Sequence, residues 1–87
     1  MPPDRYAAAV ETAAYVTVAE AVEDAAGRGA TFAAVDVHRE GSRLFVTVED
    51  DGLGRDSQLL HLTDRIGALG GSLEAGPTTV RVEIPCA

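Results

Sequence analysis

Three carboxylates in this sequence sit where residue type and spacing could do chemistry: Glu20, Asp24 and Asp50. Leu44, Val46 and Val48 alternate along a strand, so they share one face, and the next member of that face is Asp50. A carboxylate aimed at an interior is costly, or changes its pKa, unless something donates to it. Asp50 therefore requires a donor, from the protein or from a ligand, whereas Glu49 and Asp51 face water. Gly52 and Gly54 follow at once, permitting positive φ and a close approach to the backbone, so the stretch reads as the floor of a pocket. It reads equally as a strand ending in an Asp-Gly turn. A calcium loop fits worse, because it needs acids at alternate positions and Glu49, Asp50 and Asp51 are consecutive.

Glu20, Glu23 and Asp24 form a second acidic group, with Glu20 and Asp24 one helical turn apart. Like charges at that spacing oppose a helix by about 0.2–0.5 kcal/mol. A solvated face tolerates such repulsion; a site holding a cation or a water between the acids would use it.

The elements that must position these groups follow from periodicity. After Pro2 and Pro3, Asp4 is a candidate cap for an alanine-rich helix running to about residue 26, with Val10, Ala14, Val18, Ala21, Val22 and Ala25 at helical spacing and Gly27 and Gly29 ending it. Residues 31–39 and 43–50 alternate as two strands around a Glu40-Gly41-Ser42 turn. Asp56 or Ser57 is placed to cap a second helix, whose stripe is Leu59, Leu62, Ile66 and Leu69, and Gly70-Gly71 ends it. Leu73 and Ala75, a Gly76-Pro77 turn, and then Val80, Val82 and Ile84 predict a second hairpin closed by Pro85. Two one-sided helices and four half-buried strands predict an α+β two-layer sandwich: a single domain over 1–87, with both helices on one face of a mixed four-stranded sheet.

Composition narrows the function classes. The chain has 87 residues, 46% of them hydrophobic, and a net charge of −7. All seven bases are arginines, and no basic stripe argues for nucleic acid. The lack of lysine removes a Walker-type phosphate loop and Schiff-base chemistry. A lone Cys86 argues against a disulfide framework or a zinc cluster and fits a reducing, cytoplasmic setting. No apolar run approaches membrane-spanning length, the start Met1-Pro2-Pro3-Asp4 has no signal-peptide pattern, and His38 and His61 read as surface positions.

With these pieces in order, the sequence resembles the ATP-binding domain of sensor histidine kinases, in the superfamily that shares the Bergerat nucleotide fold with gyrase. It is most similar to the branch paired with helix-turn-helix response regulators. Glu20-Ala21-Val22-Glu23-Asp24-Ala25 matches the family's Glu-Ala-x-x-Asn-Ala helix, with Asp24 in place of asparagine. Asp50-Asp51-Gly52-Leu53-Gly54 matches its Asp-x-Gly-x-Gly. Leu62-Thr63-Asp64-Arg65, Ala68-Leu69-Gly70-Gly71, and Thr78 seven residues before Pro85 match its later motifs.

The resemblance implies that Asp50 accepts from the adenine amino group, that Gly52 and Gly54 admit the nucleotide, and that Thr78 lines the adenine pocket. Glu20 would orient or deprotonate the attacking group, and Asp24 would hold Mg2+ on the phosphates of ATP. The implied partner is a separate dimerisation and phosphoacceptor domain, with a response regulator reached indirectly. Two departures go with it. The chain contains no asparagine, and where the family has a mobile lid only Arg55-Asp56-Ser57-Gln58 precedes Leu59, with Gln58 and His61 at positions where glycines are usual. Two functions are thus expected to compete: the ATP-binding catalytic domain of a two-component kinase, and a degenerate module of that fold acting in protein-protein regulation without phosphotransfer. An anti-sigma-type serine kinase is a third, against which Asp64-Arg65 and the Ala-Leu-Gly-Gly ending count.

Overall fold

The computed structural model describes residues 8–54 and 59–86. Helix α1 (Ala8–Gly27) is followed by strands β1 (Ala33–Glu40) and β2 (Arg43–Asp50), helix α2 (Leu60–Gly67), and strands β3 (Ser72–Ala75) and β4 (Thr79–Pro85). The first strand begins two residues later than its alternation predicts, and the other strands lie where the pattern puts them. The Asp4, Asp56 and Ser57 cap assignments and the shortened lid fall outside the described residues. At the cap position of α2 stands Leu59, in the left-handed region with φ 51° and no side-chain cap bond.

The four strands form one sheet in the order β1-β2-β4-β3, with every neighbouring pair antiparallel. The expected mixed sheet is therefore corrected. The connection from β2 through α2 to β3 would give a parallel pair if those strands were neighbours, but β4 turns back between them. That places the apolar strand Val80-Val82-Ile84 in the middle and the four-residue β3 at an edge, where a short strand exposes little unpaired backbone.

Both helices cover the same face. Val10, Ala13 and Ala21 of α1 and Ile66 of α2 share one cluster with Leu44, Val46 and Val48 of β2 and Val80, Val82 and Ile84 of β4. The buried line of α1 is Val10, Ala13, Thr17, Ala21 and Ala25, rotated from the expected stripe so that Ala14 and Val18 are half-buried and Val22 is exposed. Small side chains on this line let the helix lie close to the sheet. The hydroxyl of Thr17 donates to the Ala13 carbonyl at 2.7 Å, so its polarity is satisfied within the helix.

Both helices end in the same six-residue closure. Ala30 N–H donates to Ala25 O and Gly29 N–H to Ala26 O after α1; Gly71 N–H donates to Ile66 O and Gly70 N–H to Gly67 O after α2. The turn residues Gly29 and Gly70 have φ of 80° and 78°, which suits glycine. Gly71 has a different reason: a Cβ there would lie 2.3 Å from the Glu83 carbonyl oxygen and 2.9 Å from Ile66 Cγ2. Around Gly67, by contrast, an added Cβ meets nothing within 4 Å, and its φ is not positive. Gly71→Ala should lower stability by roughly 1–3 kcal/mol or more through overpacking. Gly67→Ala should raise it by about 0.4–1 kcal/mol by restricting the unfolded chain. Urea midpoints of the two variants against the parent test this, and a tolerated Gly71→Ala would contradict the packing of α2 on β4.

Candidate functional site

The end of α1, the end of β2 and the turn into β4 converge on one side chain that the sequence reading did not single out. Arg28 stands at the C-terminal cap of α1, where a cation also suits the helix dipole. Its Nη1 and Nη2 donate to the two carboxylate oxygens of Asp50 at 3.1 and 2.6 Å, and its Nε donates to Asp24 Oδ2 at 2.9 Å. Nη1 also reaches the carbonyls of Leu53 and Pro77. The Asp50 side chain is 2% exposed and that of Arg28 12%. This is the forked, two-point geometry in which arginine binds carboxylate most strongly. Asp50, and after it Asp24, holds the Arg28 guanidinium above its ordinary pKa. The donor that an inward Asp50 requires is thus supplied by the protein.

Gly52 and Gly54 are bare for a related reason. A Cβ on Gly52 would lie 3.1 Å from both the Arg28 carbonyl oxygen and the Ala30 nitrogen, and one on Gly54 would lie 3.1 Å from Pro77 Cβ. Neither glycine has a positive φ, so close approach and not turn conformation is what they provide. The backbone that approaches is the chain's own: Leu53 N–H donates to Arg28 O at 3.0 Å, and Gly52 N–H closes back on Asp50 Oδ1 at 2.9 Å. Thr78 lies beside this cluster, its carbonyl accepting from Asp50 N–H at 3.0 Å.

Asp51, expected to face water, is exposed and still anchors the loop that carries Arg28. Its carboxylate accepts from the Thr31 hydroxyl at 2.6 Å and from the Thr31 and Phe32 N–H groups at 2.9 Å. The Thr31 hydroxyl, followed by the Phe32 and Thr31 amides, holds the Asp51 carboxyl below its ordinary pKa.

On the other side of Arg28 a cleft of about 360 Å³ opens between the helices, lined by Glu20, Glu23, Asp24, Leu59 and His61. Nε2 of His61 is hydrogen-bonded to Glu20 Oε2. Residues expected to act together are therefore brought together: Asp50, Gly52 and Thr78 around Arg28, Gly54 against Pro77, and Asp24 and Glu20 on the cleft reached through it. Arg28 and His61 were missed. Arg28 had a signal, being four residues after Asp24 in a chain with few cations for an inward acid to choose from. His61 had none, because its neighbour Glu20 is distant in sequence.

As placed, these side chains do not fit ATP and Mg2+. Both oxygens of Asp50, the residue the resemblance assigns to the adenine amino group, are engaged by a guanidinium, and the cleft presents three carboxylates to a polyphosphate. Among the described residues no group of three or more His, Cys, Asp or Glu is arranged to hold a metal ion. No helix among them is long and apolar enough to cross a membrane. No family model matches this chain, and no curated protein sequence matches it.

Two outcomes test the cluster. Arg28→Met should cost roughly 3–5 kcal/mol, since it removes the charged partner of a buried carboxylate, while Asp24→Asn, at a partly exposed ion pair, should cost under about 1 kcal/mol; equal denaturation midpoints for the two would reject Asp50 as the buried partner. For Asp51, a folded pKa below the unfolded value of about 3.9 means stability that is present above that pH and lost as pH falls through the lower folded value. Asp51→Asn should therefore flatten the acid limb of the stability curve below about pH 4.

Proposed function

We propose that this chain is a histidine-kinase-like nucleotide fold turned to protein-protein regulation, in which an internal arginine occupies the adenine acceptor and phosphotransfer has been lost. The observation that carries the reading is the two-point Arg28-Asp50 pair. In the family the sequence resembles, the corresponding aspartate receives the adenine amino group; here two guanidinium N–H donors stand in for it. Asp24 holds the same guanidinium from the side of the cleft, so the two acids that the resemblance assigns to adenine and to Mg2+ serve one protein cation. The departures in sequence, no asparagine and few residues for a lid, agree with a phosphate end no longer in use.

The second reading keeps the catalytic role, with ATP and Mg2+ as ligands and Glu20 as the group that orients the attacking nitrogen of a separate dimerisation domain. What favours it is that Glu20, Asp24, Asp50, Gly52 and Thr78 do gather at one end of the molecule. On that reading the nucleotide displaces Arg28 from Asp50, and the freed guanidinium turns to the phosphates. Thermal melts of the parent chain with ATP or ADP, with Mg2+ and with a chelator, separate the two. Unchanged melting in every condition is the expected result. A Mg2+-dependent rise in melting temperature that Asp50→Ala abolishes would establish the catalytic reading instead.

A further inference from the structure

The helix-covered face of the sheet is closed over β2 and β4 and open over β1. Val35 and Val37 stand on that face opposite Val48 and Val46, yet they are 46% and 53% exposed while their partners are fully buried. On α1, Tyr15 and Val22 lie along the side of the buried line away from Glu20 and Asp24, and both are exposed. These are four of the six large apolar side chains exposed among the described residues. Two of them, Val35 and Val37, lie on β1, whose outer edge has no strand partner among the described residues. An eight-residue edge with an apolar face is a template for another strand.

We infer that a second copy of this chain docks on β1, edge to edge and antiparallel about a two-fold axis through Val37, to give one continuous eight-stranded sheet. The strand's own sequence argues for this occupant and, against two-folds one residue to either side, for this register. Pairing β1 with itself keeps the valines on one face only when residue numbers across the pair sum to an even value, because a one-residue slip reverses every side chain. A two-fold at Asp36 sets Asp36 against Asp36, and one at His38 sets His38 against His38 and Asp36 against Glu40; like charges directly opposite destabilise. With the two-fold at Val37, Val37 meets Val37, Asp36 meets His38 twice, and the Arg39 stem lies along Val35. Hydrogen bonds to Asp36, then to Glu40, of its own strand hold the His38 imidazole above its ordinary pKa, and its ring stacks on Phe45 of β2 at 5.2 Å. Across the paired edges two Arg39 and two His38 face two Asp36 and two Glu40. The net charge of −7 on each chain opposes association at long range, so salt should strengthen it.

Sedimentation equilibrium over a concentration series, at low and at raised salt, reads the association. The parent should pass from 9.0 kDa to twice that mass, and Val37→Lys, at an exposed position, should remain monomeric over the same range. Disulfide trapping reads the register in a Cys86→Ser background, because residues directly opposite on antiparallel strands lie about 4.5–5.5 Å apart between Cα atoms, within reach of a disulfide. Val37→Cys should cross-link to itself; Val35→Cys should not, but should cross-link to Arg39→Cys when the two are mixed. A parent that stays at monomer mass overturns the inference and leaves the edge to a strand from a different protein. A dimer that survives Val37→Lys, or that traps as well through Val35→Cys alone, overturns it too.

Discussion

A carboxylate at the inner end of a buried strand is the constraint on which this structure turns. Asp50 continues the face of Leu44, Val46 and Val48 with its side chain 2% exposed, so a cation delivered to that point offsets the cost of hiding the charge. Delivery depends on the end of α1. The closure at Gly29 halts the helix with Arg28 at its cap, Gly52 has no side chain to keep the 28–30 backbone away, and Asp51 grips Thr31 and Phe32 just beyond. The Asp-x-Gly stretch thus acts as a clamp between helix and sheet: the first acid binds the side chain, the second binds the loop, and the glycine admits the backbone between them.

The placement of α1 follows from the same demand for close contact. With Ala13, Thr17, Ala21 and Ala25 toward the strands, the helix axis sits low over β2, and α2 fills the space over β3 and β4. A helix drawn in this way covers a narrow band of sheet. The first strand lies at the margin of that band, which is why valines with an ordinary core pattern are left half in the open.

Much of this was legible in the sequence. Alternation places β2 and β4 within a residue, because one face of each is buried and the other is polar, and the glycine pairs mark both helix ends. The inward aspartate was legible as a requirement, since period two fixes its direction without any knowledge of its partner. Sheet order was not, because antiparallel and mixed arrangements of these four strands bury the same alternating residues; only the position of β4 between β2 and β3 distinguishes them. Nor was the rotation of α1, where Ala and Val recur on neighbouring helical lines and the choice between them rests on how closely the helix meets the sheet. The partner of Asp50 lay more than twenty positions back in the chain, so its only signal was indirect, through its spacing to Asp24.

Among the described residues the buried apolar side chains are alanine, valine, leucine and isoleucine; Tyr15 and Phe32 are exposed and Phe45 is half-buried. Side chains of this kind have few rotamers to lose: ordering a buried alanine costs essentially nothing in side-chain entropy, and a leucine or isoleucine about 0.5–1 kcal/mol. A domain of this size removes a modest fraction of its surface from water, and stiff aliphatics return a large share of that gain as net stability. With no tryptophan in the chain and no aromatic ring in the described interior, the folded core is optically quiet, and its methyl groups are the probes that would report on it.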